Sequence, residues 1–252
     1  FQYASLKGIA NQNGYNFCIP NHNEIFEDGL GNRLHIELFK PFVLENFSDL
    51  NVQLIDKDRP VVQEGSFHFN EQLFNNCPDW VCLHGFFQTE KYFKNIEQEI
   101  REDFKFNDDI LIPCKEMMDE FGEPPLSLHI RRGDFLINSA NHHNLGLDYY
   151  EKALAEFPME VPVLIFSDDP EWCSEQELFA DDRFLVAEGN SPYVDMCLMS
   201  MCEGHIIANS SFSWWGAWLA NSQKVVAPSV WFGPNNAHLD IKDLYLDHWE
   251  VI

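Results

Sequence analysis

The chain has 252 residues, 45% of them hydrophobic and 14% aromatic, and 41 Asp and Glu against 16 Lys and Arg give it a formal net charge of -25. That apolar and aromatic content excludes a disordered chain, and the length suffices for one large or two modest packed domains. The acidity excludes nucleic acid or an anionic membrane held by a general basic face, because both need phosphates neutralised over an extended surface.

In chain order, residues 1–9 read as a helix with Tyr3, Leu6 and Ile9 on one face, broken at Asn13-Gly14 before a short strand over 15–19. Residues 20–80 are rich in Asn, Asp and Gly. Their apolar runs at 34–39, 52–55 and 66–69 are short, so loops with two or three short strands are expected. An apolar strand follows at 81–87, then a helix opened by Gln88, Thr89 and Glu90, and two longer helices over 96–104 and 110–121. Gly122, Pro124 and Pro125 stop any helix and extend the chain, which places a domain boundary between 1–123 and 124–252. Beyond it strands and helices alternate: strands at 126–130, 161–166, 184–186, 205–208 and 224–227, and helices at 147–157, 170–179, 191–201 and 213–220, with Asp148 or a neighbour capping the first of these. Such alternation predicts a parallel sheet wound on both faces.

No apolar run reaches membrane-spanning length, and the first residues lack the basic start of a signal peptide. Seven cysteines at irregular spacing, with no CxxC and no Cys/His ligand pattern, predict reduced thiols, no metal site and a cytoplasmic location. The chain starts at Phe1 and not at Met, so the sequence reads as part of a longer one.

Chemistry concentrates where three strands end. Leu126, Leu128 and Ile130 alternate with Ser127 and His129, a strand with one apolar face, and it delivers Arg131 and Arg132, two of only six arginines, to its carboxyl end. In an open α/β sheet that edge binds ligands, Gly133 permits the turn, and paired guanidiniums suit a phosphate. An arginine paired with Asp134 and left in solvent is the plainer alternative. The next strand ends in Ser167, Asp168 and Asp169, placed either to accept from a ribose or guanine or simply to cap the following helix. A third ends in Asn209, Ser210, Ser211 and Phe212, hydroxyls and free N–H groups at a helix start that form either an anion site or an ordinary cap.

HIRRGDF at 129–135, FSDDPEWC at 166–173 and NSSFSWWGAWLA at 209–220, preceded by GFFQTEKYF at 85–93, closely resemble the alpha-1,2-fucosyltransferases of glycosyltransferase family eleven. FQYA at 1–4 resembles the tail of that family's N-terminal glycine-rich signature, whose earlier part is expected ahead of Phe1. The resemblance implies a GT-B-like α/β fold of two Rossmann-like domains, the first (1–123) binding the acceptor and the second (124–252) the nucleotide sugar. It implies inverting transfer of L-fucose from GDP-beta-L-fucose to the 2-hydroxyl of a terminal galactoside, with GDP-fucose and a galactose-containing glycan as partners and no metal or other cofactor. Arg131 would bind the diphosphate, supported by Arg132 and His129; Ser167 and Asp168 would lie near the nucleoside; Asn209, Ser210, Ser211 and Phe212 would wrap the nucleotide. Asp134, His129 and Glu90 remain candidates for the acceptor's proton, and a water relay is a further one. A fucosyltransferase of another linkage, alpha-1,6 among them, and a non-catalytic sugar-nucleotide or glycan binder are the alternatives.

Overall fold

The computed structural model describes residues 1–21, 25–27, 33–45, 47–48, 51–53 and 58–252. Its contacts divide the chain into two compact units, Phe1–Asn107 with Asp240–Leu244, and Asp108–Leu239 with Tyr245–Ile252. Among the described residues no helix is long and apolar enough to cross a membrane.

The first unit opens on α1 (Gln2–Asn13), longer than the sequence suggests and closed by Gly14 at φ 71, a left-handed cap that glycine adopts without a Cβ penalty. Its buried Lys7 pairs with Asp103 at 2.6 Å, and the Tyr3 hydroxyl donates to the same carboxylate at 2.8 Å. The strands are short: β1 (Ile19–Pro20), β2 (Phe26–Glu27), β3 (Arg33–Leu34), β4 (Val52–Gln53) and β5 (Val61–Gln63). Leu54 and Ile55 of the expected 52–55 run lie outside the described residues. A helix the sequence hid, α2 (Glu71–Asn76), starts where Asn70 accepts from the Leu73 N–H at 3.0 Å. β6 (Cys82–His84) runs parallel to β5, in register from Val61 opposite Cys82 to Gln63 opposite His84. The expected helix from Gln88 is instead two 3-10 turns, Glu90–Tyr92 and Lys94–Ile96, followed by α3 (Glu97–Asp103).

The second unit carries α4 (Asp108–Asp119), β7 (Leu126–Ile130), α5 (Gly133–Ile137), α6 (Leu147–Leu154), β8 (Val163–Ser167) and α7 (Pro170–Ser174). It continues with β9 (Phe184–Val186), α8 (Pro192–Met199), β10 (Gly204–Ile206), α9 (Ser211–Ala220), β11 (Lys224–Ala227) and β12 (Glu250–Val251). The segment 122–125, where the sequence suggests a boundary, follows α4. The expected helix over 170–179 breaks at Gln176, whose extended backbone separates α7 from a 3-10 turn at Glu177–Phe179. α6 ends at Leu154 and its N-cap is Gly146 with no side-chain bond, so Asp148 is not the cap.

The six strands lie in the order β12-β11-β10-β7-β8-β9, every neighbouring pair parallel. From β7 the chain winds outward through β8 and β9, then returns to the other side of β7 and winds through β10, β11 and β12. The order reverses between β7 and β10, and in such sheets the crevice outside those carboxyl ends takes the ligand. On one face Leu126, Leu128, Ile130, Val163 and Ile165 pack against Tyr150, Ala153 and Leu154 of α6. The alternation in β7 suggests a wet second face, yet all five residues are buried, Ser127 and His129 included, because helices cover both sides. α9 crosses α8 closely: a Cβ on Gly216 would stand 2.8 Å from that of Met199. Its Trp214, Trp215 and Trp218 are buried, with Trp214 and Trp218 near parallel at 6.4 Å and both edge-on to Trp215.

Candidate active site

At the carboxyl end of β7 the two arginines are held by three carboxylates. Arg131 Nη2 donates to Asp134 Oδ1 at 2.6 Å, and its Nη1 lies 3.3 Å from Asp168 Oδ2. The Arg132 backbone N–H donates to Asp168 Oδ1 at 2.8 Å, while Arg132 Nε donates to Asp169 Oδ2 at 3.0 Å. The Arg132 guanidinium also lies 3.8 Å above the Trp172 ring. Asp168 therefore grips the first arginine's side chain and the second one's backbone at once. Gly133 makes room for it, since a Cβ there would stand 2.5 Å from Asp168 Oδ2.

The two acidic residues left open by the sequence divide their roles. Asp169 caps α7, accepting from the Trp172 N–H at 3.3 Å on one oxygen while the other takes Arg132 Nε, and Asp168 joins Arg131 to the Arg132 backbone. The Ser167 hydroxyl accepts from the Asp169 N–H at 3.0 Å, fixing the turn between them. Trp172 and Ser213 escape the sequence reading as site residues, although both stand inside its quoted motifs.

On the β10 side Ser210 is the N-cap of α9, its hydroxyl accepting from the Phe212 N–H at 3.3 Å. Ser211 and Phe212 are partly exposed, and the Phe212 ring lies 5.6 Å from the His129 ring. His129 Nδ1 meets the Ser213 hydroxyl at 2.9 Å, joining the end of β7 to the first turn of α9. The Asn209 amide donates to the carbonyls of His143 and Trp231, both at 2.8 Å, so both of its donors tie loops together. The structure thus brings together Arg131, Arg132, Asp134, Ser167, Asp168 and Asp169 as one hydrogen-bonded group. His129, Ser210, Phe212 and Ser213 form a second across β7 and α9. Glu90 belongs to the first unit, where it pairs with Lys94 at 2.8 Å. Among the described residues no group of three or more His, Cys, Asp or Glu is placed to hold a metal ion.

His129 is 4% exposed, and burial, helped by the charge of Arg131, pushes its pKa down to about 3. At neutral pH it is an uncharged hydrogen-bonding ring and a weak proton acceptor. Burial lowers His205 on β10 to about 3 as well. In the unfolded chain both take up a proton below their ordinary pKa of 6.5, while in the folded chain they stay neutral down to about 3. Stability is therefore full above the unfolded value and declines as pH falls between the two, by up to about 1.4 kcal/mol per pH unit for each ring. Melting temperatures measured from pH 7.5 to 4 should fall with acidity, and His129→Gln should flatten that slope. An unchanged slope in the variant would show that the ring protonates in the folded state.

A separate cavity of about 480 Å³, lined by Met117, Phe121, Leu164, Val186, Glu188 and Leu198, includes the residues that follow β9. It shares no lining residue with the arginine cluster and lies beside β8 and β9, between the ends of α4 and α8.

Strand order and side chains together define a doubly wound α/β protein with an arginine–carboxylate cluster at its switch point. The sequence agrees: residues 46–252 match the Glycosyl transferase family 11 profile, and the chain belongs to that family. It is 41% identical over 179 residues to an alpha-1,2-colitosyltransferase of Escherichia coli, covering 66% of this chain and 61% of the relative. It is 25% identical over 246 residues to galactoside alpha-(1,2)-fucosyltransferase 1 of Leontocebus fuscicollis, covering 89% and 63%. The chain thus spans under two thirds of the length of these curated relatives. Among solved structures it superposes on the fucosyltransferase NodZ from Bradyrhizobium with a TM-score of 0.52 at 13% identity, covering 88% of each chain. The fold is the GT-B-like α/β fold of such transferases.

Proposed function

We propose that the protein is an inverting transferase that moves L-fucose from GDP-beta-L-fucose to the 2-hydroxyl of a terminal galactoside. The observation that carries this reading is the Arg131–Arg132 pair, gripped by Asp168 at the switch point between β7 and β10. Inverting transfer passes through a sugar of oxocarbenium character while negative charge grows on the departing diphosphate. Fixed positive groups at that diphosphate are stronger in the transition state than before it, which is what raises the rate. Arg131 is fixed in this sense by two carboxylates of different standing. Asp168 is committed on both oxygens, whereas Asp134 is 59% exposed and holds a single Nη2 contact. An arriving diphosphate replaces Asp134 at Nη2, keeps the Asp168 contact, and leaves Asp134 free beside the reacting groups to take the acceptor's proton.

The N–H groups in the first turn of α9 add to the anion site. Guanidinium and backbone N–H donors supply the needed charge, so the reaction requires no divalent metal. Transfer should persist in excess EDTA, and strict dependence on manganese would overturn that part of the reading.

The identity to a colitosyltransferase favours one second reading, in which the donor sugar is colitose, which lacks the 3-hydroxyl of fucose. A panel of GDP-fucose, GDP-colitose and GDP-mannose against galactosides, with product linkage assigned by NMR, decides both. An alpha-1,2-linked product from GDP-fucose supports the first reading. Preference for GDP-colitose supports the second, and equal use of GDP-mannose or another linkage removes both.

A further inference from the structure

The first unit holds a tight turn at the carboxyl end of its parallel β5–β6 pair that the donor site does not use. Glu64 directly follows β5, and Gly85, Phe86 and Phe87 directly follow β6. The Glu64 carboxylate accepts from two successive backbone N–H groups, Phe86 at 2.7 Å on one oxygen and Phe87 at 3.0 Å on the other. Gln2 on α1 donates to the Gly85 carbonyl at 2.8 Å. The Phe87 carbonyl accepts both the Ser5 hydroxyl at 3.2 Å and the Thr89 N–H at 2.9 Å. No other residue fits at Gly85, because a Cβ there would stand 2.3 Å from that of Glu64.

This clamp holds Phe87 at φ 53, in the left-handed region that a bulky residue rarely enters. Such strain persists only where the surroundings over-determine it, and it gathers where a fixed geometry serves function. Phe87 itself gains by burial, being 2% exposed and edge-on to Tyr92 at 5.4 Å. Phe86 gains nothing of the kind: its ring is 66% exposed at the edge of parallel strands where α/β proteins bind ligands. Of the two neighbours, the anchored one is hidden and the other is held out in water on a backbone whose polar groups are fixed. Trp80, exposed to a similar degree, has the Arg59 guanidinium over its ring at 4.3 Å, a partner that Phe86 lacks among the described residues.

We infer that Phe86 is a carbohydrate platform, its ring seated against the apolar face of the acceptor pyranose. A galactoside presents a patch of C–H groups on one face, and the electron-rich face of an aromatic ring attracts those polarised hydrogens while shedding water. A ring presented on a rigid turn loses little freedom when the sugar arrives, which is how pre-organisation raises affinity. Glu64 is the positioning residue, and its desolvated carboxyl, with its pKa raised by burial, is compensated by the two N–H groups it receives.

The inference rests on the transferase reading, and the test separates the two. Phe86→Ala should raise the KM for lactose about tenfold, the equivalent of roughly 1.4 kcal/mol. The KM for GDP-fucose, the slow hydrolysis of donor by water and the melting temperature should stay within twofold or unchanged. Phe86→Tyr should restore the lactose KM. An unaltered lactose KM in the alanine variant, or an equal rise in the donor KM, overturns the platform. If the wild-type protein transfers no sugar, the transferase reading fails by itself. Saturation-transfer NMR with lactose then decides the platform alone: signal in the wild type that is lost in Phe86→Ala upholds it, and no signal in either overturns it.

Discussion

Arg131→Ala should lower kcat/KM for sugar transfer by about 10³, at the upper end of what the loss of one fixed transition-state donor costs. Two effects add. The leaving diphosphate loses its guanidinium partner, and Asp134 and Asp168, 2.6 and 3.3 Å from the guanidinium, are left without the charge that balances them beside an incoming anion. Arg131→Lys should recover part of the loss, because an ammonium keeps the charge and loses the fork that reaches carboxylate and phosphate together. Calorimetry with GDP should show weaker binding in both variants, with the larger effect in kcat. Turnover within threefold of wild type in Arg131→Ala would remove the central assignment.

The arginine pair was legible because a five-residue apolar alternation ended in a basic doublet that an acidic chain otherwise avoids. β7, β9 and β11 run between the residues expected, since Pro, Gly and charged residues stand on either side of the first two, and Asn221-Ser222-Gln223 and Pro228 bound the third. What the sequence could not carry was the other half of each contact. Ser127 and His129 look like a solvent face, and only the return of α9 over β7 makes them interior, because Ser213 stands 84 positions along the chain from His129. In the same way Asp168 and Asp169 are equivalent by composition. The register that sets Ile130 beside Ser167 is what gives Asp168 to Arg131 and the Arg132 backbone, and lets Asp169 cap α7 while its other oxygen takes the Arg132 side chain. α2 and β12 were missed for a simpler reason: one is a short Asn- and Gln-containing helix whose cap is a common loop residue, and the other is two residues long and exists only as the partner of β11. In the first unit, strands of two and three residues carry too little periodicity to read.

Asp168→Ala should cost about 10² in kcat/KM, about a tenth of the effect of losing Arg131, although the carboxylate carries the wrong sign to touch a diphosphate. The loss is geometric. Asp168 fixes Arg131 Nη1 and the Arg132 backbone from one side chain, so removing it frees a guanidinium that must then be ordered at the moment of reaction. Asp168→Asn keeps the volume and one acceptor oxygen, and should fall between the alanine variant and wild type. Gly133→Ala tests the same clamp without altering any charge, since its Cβ would stand 2.5 Å from Asp168 Oδ2 and must push the carboxylate aside. If Asp168 is a positioning residue, Gly133→Ala and Asp168→Ala should depress kcat alike and leave the preference for GDP over UDP, measured as competing inhibitors, unchanged. If Asp168 instead reads the nucleoside, Asp168→Ala should erase that preference, raise the donor KM and spare kcat.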